Sequence, residues 1–271
     1  NALEILENLD KTNLNYLTST YIFLSQDAAY NGNLGEANRY LRLSENLYHK
    51  NKKALDSIKT FYGGTYDRYE VILPYKRVYA LYYLGKTKQD SLQIEKEIKN
   101  LINLEKQPKF NGRYESIYYT TALNHVGDWY LTRKPEDSLT TVDFQKANYY
   151  LDLSIDAIEN KNYIGDEIMF KYNKTKSLNY ANKLTEADDL ITELLNKISP
   201  TDGRLPFFYA QKGLIKAKRK EKDSALTYFY KAIEKVHNGK DSLAKDYYNF
   251  KPSTTFGQTR LISRIADKLY K

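Results

Sequence analysis

The stretch "FFYAQKGLIKAKRKEKDSALTYFYKAIEKV", Phe207–Val236, decides the fold. Apolar residues recur three and four apart on both sides of the polar segment "KRKEKDS", the pattern of two amphipathic helices joined by a short turn. Two placements need a reason. Gly213 lies inside the first helix, where glycine costs about 1 kcal/mol relative to alanine. Ala225 and Ala232 lie seven apart in the second helix, among large Tyr and Phe side chains. Small residues are wanted there if two helix backbones must come close, and Gly213 and Ala225 are expected to face each other.

Working outward, similar segments recur. "GNLGEANRYLRLSE" offers Ala37, Leu41 and Ser44; "DFQKANYYLDLSI" offers Ala147, Leu151 and Ser154; "NKLTEADDLITELL" offers Ala187, Ile191 and Leu194. A weaker copy, "GKTKQDSLQIEKEI", offers Ser91 and Ile98. Upstream of two copies a glycine interrupts a helix, at Gly127 and Gly213. This set resembles the tetratricopeptide repeat. In that family an aromatic opens the first helix of a pair, a small residue lets the helices approach, and an alanine starts the second helix. A large residue then packs between repeats and a further alanine closes the pair. Tyr209, Gly213, Ala225, Phe229 and Ala232 match these features, and Tyr21, Ala37 and Leu41 match three of them. The proline that usually follows the second helix is absent from every copy. The anchors are 54, 56, 40 and 38 residues apart, against about 34 in the regular repeat, so the copies are irregular and "TRKPEDSLTT" reads as an insertion.

The resemblance implies an all-α right-handed superhelix of about five antiparallel pairs, forming one domain over residues 1–271 with a weak internal boundary near 107–113. The helical period predicts helices at roughly 1–10, 13–31, 34–61, 65–84, 88–106, 113–132, 142–160, 163–182, 184–198, 204–220 and 222–237, and a capping helix at 255–270. Turns are expected at Gly32, Gly63-Gly64, Gly85, Pro108, Gly112, Pro135, Pro200, Gly203 and Gly239. Pro74 should kink the fourth helix or start its second half.

Composition bounds the chemistry. The chain has 271 residues, 41% hydrophobic and 28% charged, with 27 Tyr, one Trp and no Cys. Disulfides and thiolate chemistry are excluded, which fits any compartment and sits most easily with an exported or membrane-anchored protein. No run of 18 apolar residues occurs, so no transmembrane segment is expected. "NALEILENLD" enters an apolar pattern midway, so the natural chain is expected to start earlier, with room for a leader or anchor. The net charge of +8 is uneven. From Arg204 onward there are 16 basic and 6 acidic residues, against 26 and 28 in the remainder.

Catalytic groups are sparse. His49, His125 and His237 have no second His at ligand spacing, and no glycine-rich phosphate loop occurs. His125 reads as packed or at a rim. The carboxylates Asp188-Asp189, Glu95 with Glu97, and Asp166-Glu167 read as solvated faces, since neighbours on a helix point about 100° apart. No cofactor, metal or enzymatic activity is expected. The run Lys216 to Lys222 reads as a patch for an acidic surface or as the solvated end of a helix; nucleic acid is not expected, because no aromatics interleave with it.

In the resembled family the first helix of each pair lines the concave face. That geometry implies a groove of Phe23, Gln26 and Tyr30; Tyr75, Tyr79, Tyr82 and Tyr83; Asn124, Asp128 and Leu131; Tyr172, Lys176, Asn179 and Tyr180; and Phe207, Leu214 and Lys218. Tyr supplies contact area at low entropy cost. The expected function is a non-enzymatic scaffold for a peptide or protein segment. The alternative, by analogy with Asn-, Lys- and Tyr-rich exported bacterial repeat proteins, is a ligand- or glycan-sensing accessory domain of an exported or membrane-anchored system.

Overall fold

The computed structural model describes residues 11–55, 69–85, 87–107, 113–163 and 165–238, and every regular element among them is helical. In chain order these are α1 (Lys11–Tyr30), α2 (Leu34–Lys50), α3 (Lys52–Leu55), α4 (Tyr69–Leu84), α5 (Lys88–Glu105), α6 (Arg113–Thr132), a 3-10 turn (Glu136–Ser138), α7 (Thr141–Glu159), α8 (Glu167–Tyr180), α9 (Leu184–Lys197), α10 (Leu205–Lys218) and α11 (Lys222–Asn238). The expected helices at 1–10 and 255–270, the Gly63-Gly64 turn and the segment from Pro108 to Gly112 lie outside the described residues.

The helix expected over 34–61 ends at Lys50. Asn51 stops it: its backbone N–H and side-chain Nδ2 both return to the Leu47 carbonyl, at 3.0 Å each. Such local bonds compete with helix propagation. α4 runs without a break through Pro74. "TRKPEDSLTT" holds the 3-10 turn and the N-cap of α7, where Thr140 and Asp143 satisfy each other's backbone N–H groups.

The chain forms two compact units, Asn1–Glu167 and Ile168–Lys271. In the first, α1 packs on α2, α4 on α5 and α6 on α7, and α4 also packs on α1, α2 and α6. In the second, α10 packs on α11 and α9 on α10. There Leu178 of α8 joins Ala187, Ile191 and Leu194 of α9 and Phe208 and Ile215 of α10 in one buried cluster.

One register recurs in the pairs. Each second helix buries a stripe that starts at its anchor and continues four and seven residues on: Ala37, Leu41, Ser44; Ala147, Leu151, Ser154; Ala187, Ile191, Leu194; Ala225, Phe229, Ala232. In α5 the buried stripe is Ile94, Ile98 and Leu101, while Ser91 is only half-buried. The anchor of that copy is therefore Ile94, three residues later than the sequence alignment placed it. Twelve residues before the anchor the first helix carries a buried small residue, at Ser25, Thr175 and Gly213. Gly127 plays this part for Ala147 across the longer insertion.

The contacts show why. Ser25 donates its hydroxyl to the Ala37 carbonyl at 2.9 Å. A Cβ on Gly127 would stand 2.6 Å from Leu151 Cγ and 3.1 Å from the Ala147 carbonyl oxygen. A Cβ on Gly213 would stand 2.5 Å from Phe229 Cε1. The nearest atoms to such a Cβ all belong to Phe229, the large residue four positions after Ala225.

The turns repeat as well. Gly32, Asn182 and Lys220 have φ of 84°, 59° and 64°, each five residues before an anchor alanine. In all three the left-handed residue's N–H returns to the carbonyl three back, and the next N–H to the carbonyl five before it. This is the Schellman closure of a helix, which reverses the chain sharply and satisfies its last carbonyls.

Two tests follow from this register. Gly213→Leu should cost about 1–3 kcal/mol by overpacking, and Gly213→Leu with Phe229→Ala should recover part of it; an unchanged urea midpoint for the single variant would refute the contact. Nothing lies within 4 Å of a Cβ on Gly32, so Gly32→Ala isolates the backbone term and should cost about 1–2 kcal/mol. Lys220→Gly should raise stability by up to about 1 kcal/mol, read from the same unfolding curves.

Candidate functional site: the aromatic face of α1, α4 and α6

Three first helices lie side by side in the first unit, with α4 between α1 and α6. Residues 75, 79, 82 and 83 of α4 share one helix face, and here all four are Tyr. Tyr79 and Tyr83 are 4.7 Å apart between ring centroids, Tyr82 and Tyr83 4.9 Å, and Tyr75 and Tyr79 6.3 Å. From α1, Tyr30 meets Tyr83 edge-on at 6.3 Å. From α6, Tyr118 meets Tyr75 at 5.0 Å. Also on α6, the His125 imidazole lies parallel to Tyr82 at 4.6 Å and to Tyr75 at 6.4 Å, with Tyr79 edge-on at 5.6 Å.

Polar groups tie this surface together. Tyr82 donates its hydroxyl to Asp128 Oδ2 at 2.7 Å. The buried Lys76 donates to Gln26 Oε1, and its ammonium lies 5.1 Å above the Tyr75 ring and 5.7 Å above that of Tyr79. Burial raises the pKa of Tyr75, Tyr79 and Tyr82. Burial lowers that of His125 to about 4, against a weaker upward pull from Asp128. At neutral pH the phenols and the imidazole are therefore uncharged. The face offers ring surfaces and hydrogen bonds, with its rim open: Phe23 is 67% exposed and Tyr83 42%.

The expected groove residues divide between the two units. Phe23, Tyr30, Tyr75, Tyr79, Tyr82, Tyr83, Asn124, Asp128 and Leu131 belong to the first. Of these, Tyr75, Tyr79, Asn124, Asp128 and Leu131 are buried. Tyr172, Lys176, Asn179, Tyr180, Phe207, Leu214 and Lys218 belong to the second. There Tyr172 packs on Phe208 at 4.7 Å, and the Lys176 ammonium lies 5.9 Å from the Tyr172 ring. Lys218 reaches across from α10 to the carbonyl of the buried Asn179 at 3.1 Å and lies 5.6 Å above Tyr180. Phe207 and Leu214 are half-buried. Sequence reasoning left His125, Lys76 and Tyr118 off the face. The usable signal for His125 was its place three residues before Asp128, one helical turn along the same side.

Two carboxylates read as solvated are not. Glu97 is buried, and Arg77 Nε lies 3.3 Å from it. Asp188 is buried and receives Lys212 at 2.7 Å, Lys216 at 2.9 Å and Arg219 at 3.3 Å. Burial raises the Asp188 pKa, and the bonds from Lys212 and Lys216 more than reverse it. Glu221 also takes Lys216 at 2.8 Å and Arg219 at 2.6 Å. Three cations of the Lys216–Lys222 run are thus engaged inside their own unit: Lys216, Lys218 and Arg219. Among the described residues no group of three or more His, Asp or Glu is placed to hold a metal, and no helix is long and apolar enough to cross a membrane.

Asp188→Ala leaves the buried Lys212 ammonium with only neutral acceptors, the residue-188 carbonyl and Thr192 Oγ1, and breaking a buried pair from one side costs up to about 3–5 kcal/mol. Thermal and urea unfolding should show that loss; one below about 1 kcal/mol would mean the cluster is solvated in practice.

No protein-family model matches the chain, and no curated protein or solved structure matches it either, so the reading of this face rests on its own geometry.

Proposed function

We propose that the chain is a non-enzymatic binding scaffold of tetratricopeptide-like helix pairs, and that the face of α1, α4 and α6 takes an extended peptide segment of a partner protein. The family reading is supported by the recurring anchor stripe and, in the pairs anchored at Ala37, Ala187 and Ala225, by the small residue twelve positions before it and the Schellman turn between the two helices. One observation carries the function: rings meet from helix to helix across α1, α4 and α6, through Tyr30, Tyr83, Tyr79, Tyr75 and Tyr118, and two aromatics of these helices reach solvent, Phe23 with most of its surface and Tyr83 with less than half. Binding energy usually concentrates in a few such aromatic anchors. Apolar or aromatic side chains of the partner would lie against Phe23 and Tyr83, with the exposed Asp27 one turn from Phe23 to accept a backbone N–H. The Lys216–Lys222 run plays no part in the proposal, because Lys216, Lys218 and Arg219 are bonded within their own unit.

Panning a displayed random-peptide library on the purified chain tests this reading. Selected peptides should lose tenfold or more in affinity on Phe23→Ser with the melting temperature unchanged, and on Tyr83→Ser, whose ring also packs on Tyr79 and Tyr82, with a smaller loss of stability than Tyr75→Ala causes. Tyr75→Ala should behave oppositely and lower stability by about 3–5 kcal/mol, as for other buried aromatics. A library that yields no binder, or binders indifferent to both exposed rings, would refute the assignment.

A further inference from the structure

His125 is half-buried, yet one of its ring nitrogens is shut away from solvent. Its ring is clamped between Tyr82 and Tyr75, and its Nδ1 has neither solvent contact nor a hydrogen-bond partner. A neutral imidazole can carry its proton on Nε2 and leave Nδ1 a bare acceptor. A second proton would put an unsatisfied N–H and a full charge into the same ring-lined slot, which is far more costly.

We infer that the joint between α4 and α6 is a proton-opened switch, shut while the His125 imidazole is uncharged and loosened when acid protonates it. The groups around His125 favour this. From α4 come the neutral phenols of Tyr75, Tyr79 and Tyr82 and the ammonium of Lys76, which opposes a second positive charge. Behind Lys76, α1 supplies Gln26, already bonded to it. On α6 itself Asp128 favours the charge, but its Oδ2 already accepts the Tyr82 hydroxyl. Of the charged groups that α5 and α7 turn toward α6, Glu105 and Asp156 act on Tyr119, and the others are Glu95, Lys146 and Asp143. Glu95, Lys146 and Asp143 meet Tyr130 and Arg133 at the C-terminal end of the helix.

The sign follows from the two pKa values. Burial holds His125 at about 4 in the shut joint, and the ring returns toward 6.5 once exposed. The open form therefore binds the extra proton. Stability of the joint is complete above about pH 6.5 and falls as pH drops toward 4. The limiting change in the shut-to-open ratio is about 300-fold, less whatever the Tyr faces return by cation–π attraction. That opening would dismantle the proposed binding face rests on the preceding reading; the opening itself does not.

The chain carries its own reporter. Trp129, the single tryptophan, is buried one turn after His125 and donates its indole N–H to the Gly85 carbonyl at the end of α4, at 3.1 Å. Urea unfolding of the intact chain, followed by Trp129 emission at pH 7.5 and 4.5, should show the folded-to-unfolded ratio falling about 50–100-fold further in the wild type than in His125→Phe. Amide exchange, corrected for the chemical rate, should show α4 and α6 losing protection in acid ahead of α10 and α11. If His125→Phe does not fold, the imidazole is titrated by NMR in the His49→Gln, His237→Gln background, where His125 alone remains. Equal pH dependence in wild type and variant, or a His125 that titrates near 6.5 in the folded chain, would overturn the inference.

Discussion

The closeness of two helix backbones is the constraint on which each pair depends. At Gly213 the first helix gives up its side chain, and the ring of Phe229 occupies the space a Cβ would need. The glycine costs about 1 kcal/mol in helix propensity. Full burial of a Phe side chain returns about 1.5–3 kcal/mol, so the contact wins on balance. Gly127 and Leu151 repeat the arrangement with a smaller knob. Ser25 repeats it with a hydroxyl turned to the Ala37 carbonyl, so that a polar side chain sits at the close approach without being stranded. Different residues meet one steric demand, which is why the copies diverge in sequence while keeping a register.

Close approach is useful only if the second helix returns along the first, and the left-handed turn residue arranges that. Gly32 adopts its φ without strain, whereas Asn182 and Lys220 hold theirs against a steric cost. At Lys220 the surroundings compensate. Glu221, the next residue, bridges back to Lys216 and Arg219, and those two also reach Asp188 on α9. The charges that look like an unneutralised run in sequence brace a strained turn and fasten it to the neighbouring helix.

What was legible in the sequence was whatever acts locally. The 3.6-residue period located the helices, and the small residue after each polar turn located most anchors. The error at α5 is instructive. Alignment on a small residue chose Ser91, but the position demands burial, and Ile94 satisfies it together with Ile98 and Leu101. Contacts between distant residues were not legible. Asp188 and Asp189 are adjacent, yet they point about 100° apart; one is buried against cations 24 to 31 residues ahead and the other is exposed. His125 finds its ring partners 43 to 50 residues upstream, and no spacing on its own helix announces them.

The abundance of Tyr has a physical reading that separates structural rings from those offered outward. Tyr69 places its body between helices and its hydroxyl on Asn15 Oδ1 at 2.6 Å; Tyr82 does the same with Asp128, Tyr130 with Glu95 and Tyr163 with Glu105. Phe in place of Tyr69 or Tyr82 would fill the same space but remove a donor from a buried side-chain oxygen, a loss of about 1–3 kcal/mol, whereas Glu95 and Glu105 would keep Lys146 and Lys161. In these joints one side chain does the apolar and the polar part together, so a helix face can be packed almost wholly with rings and stay hydrogen-bonded. The same economy makes the face hard to read from sequence, because a Tyr that closes a joint and a Tyr that turns to solvent recur at the same helical spacing. Only the surroundings distinguish them: Tyr82 is fixed by Asp128 beneath it, whereas Tyr83, one residue on and rotated by about 100°, turns much of its ring to solvent.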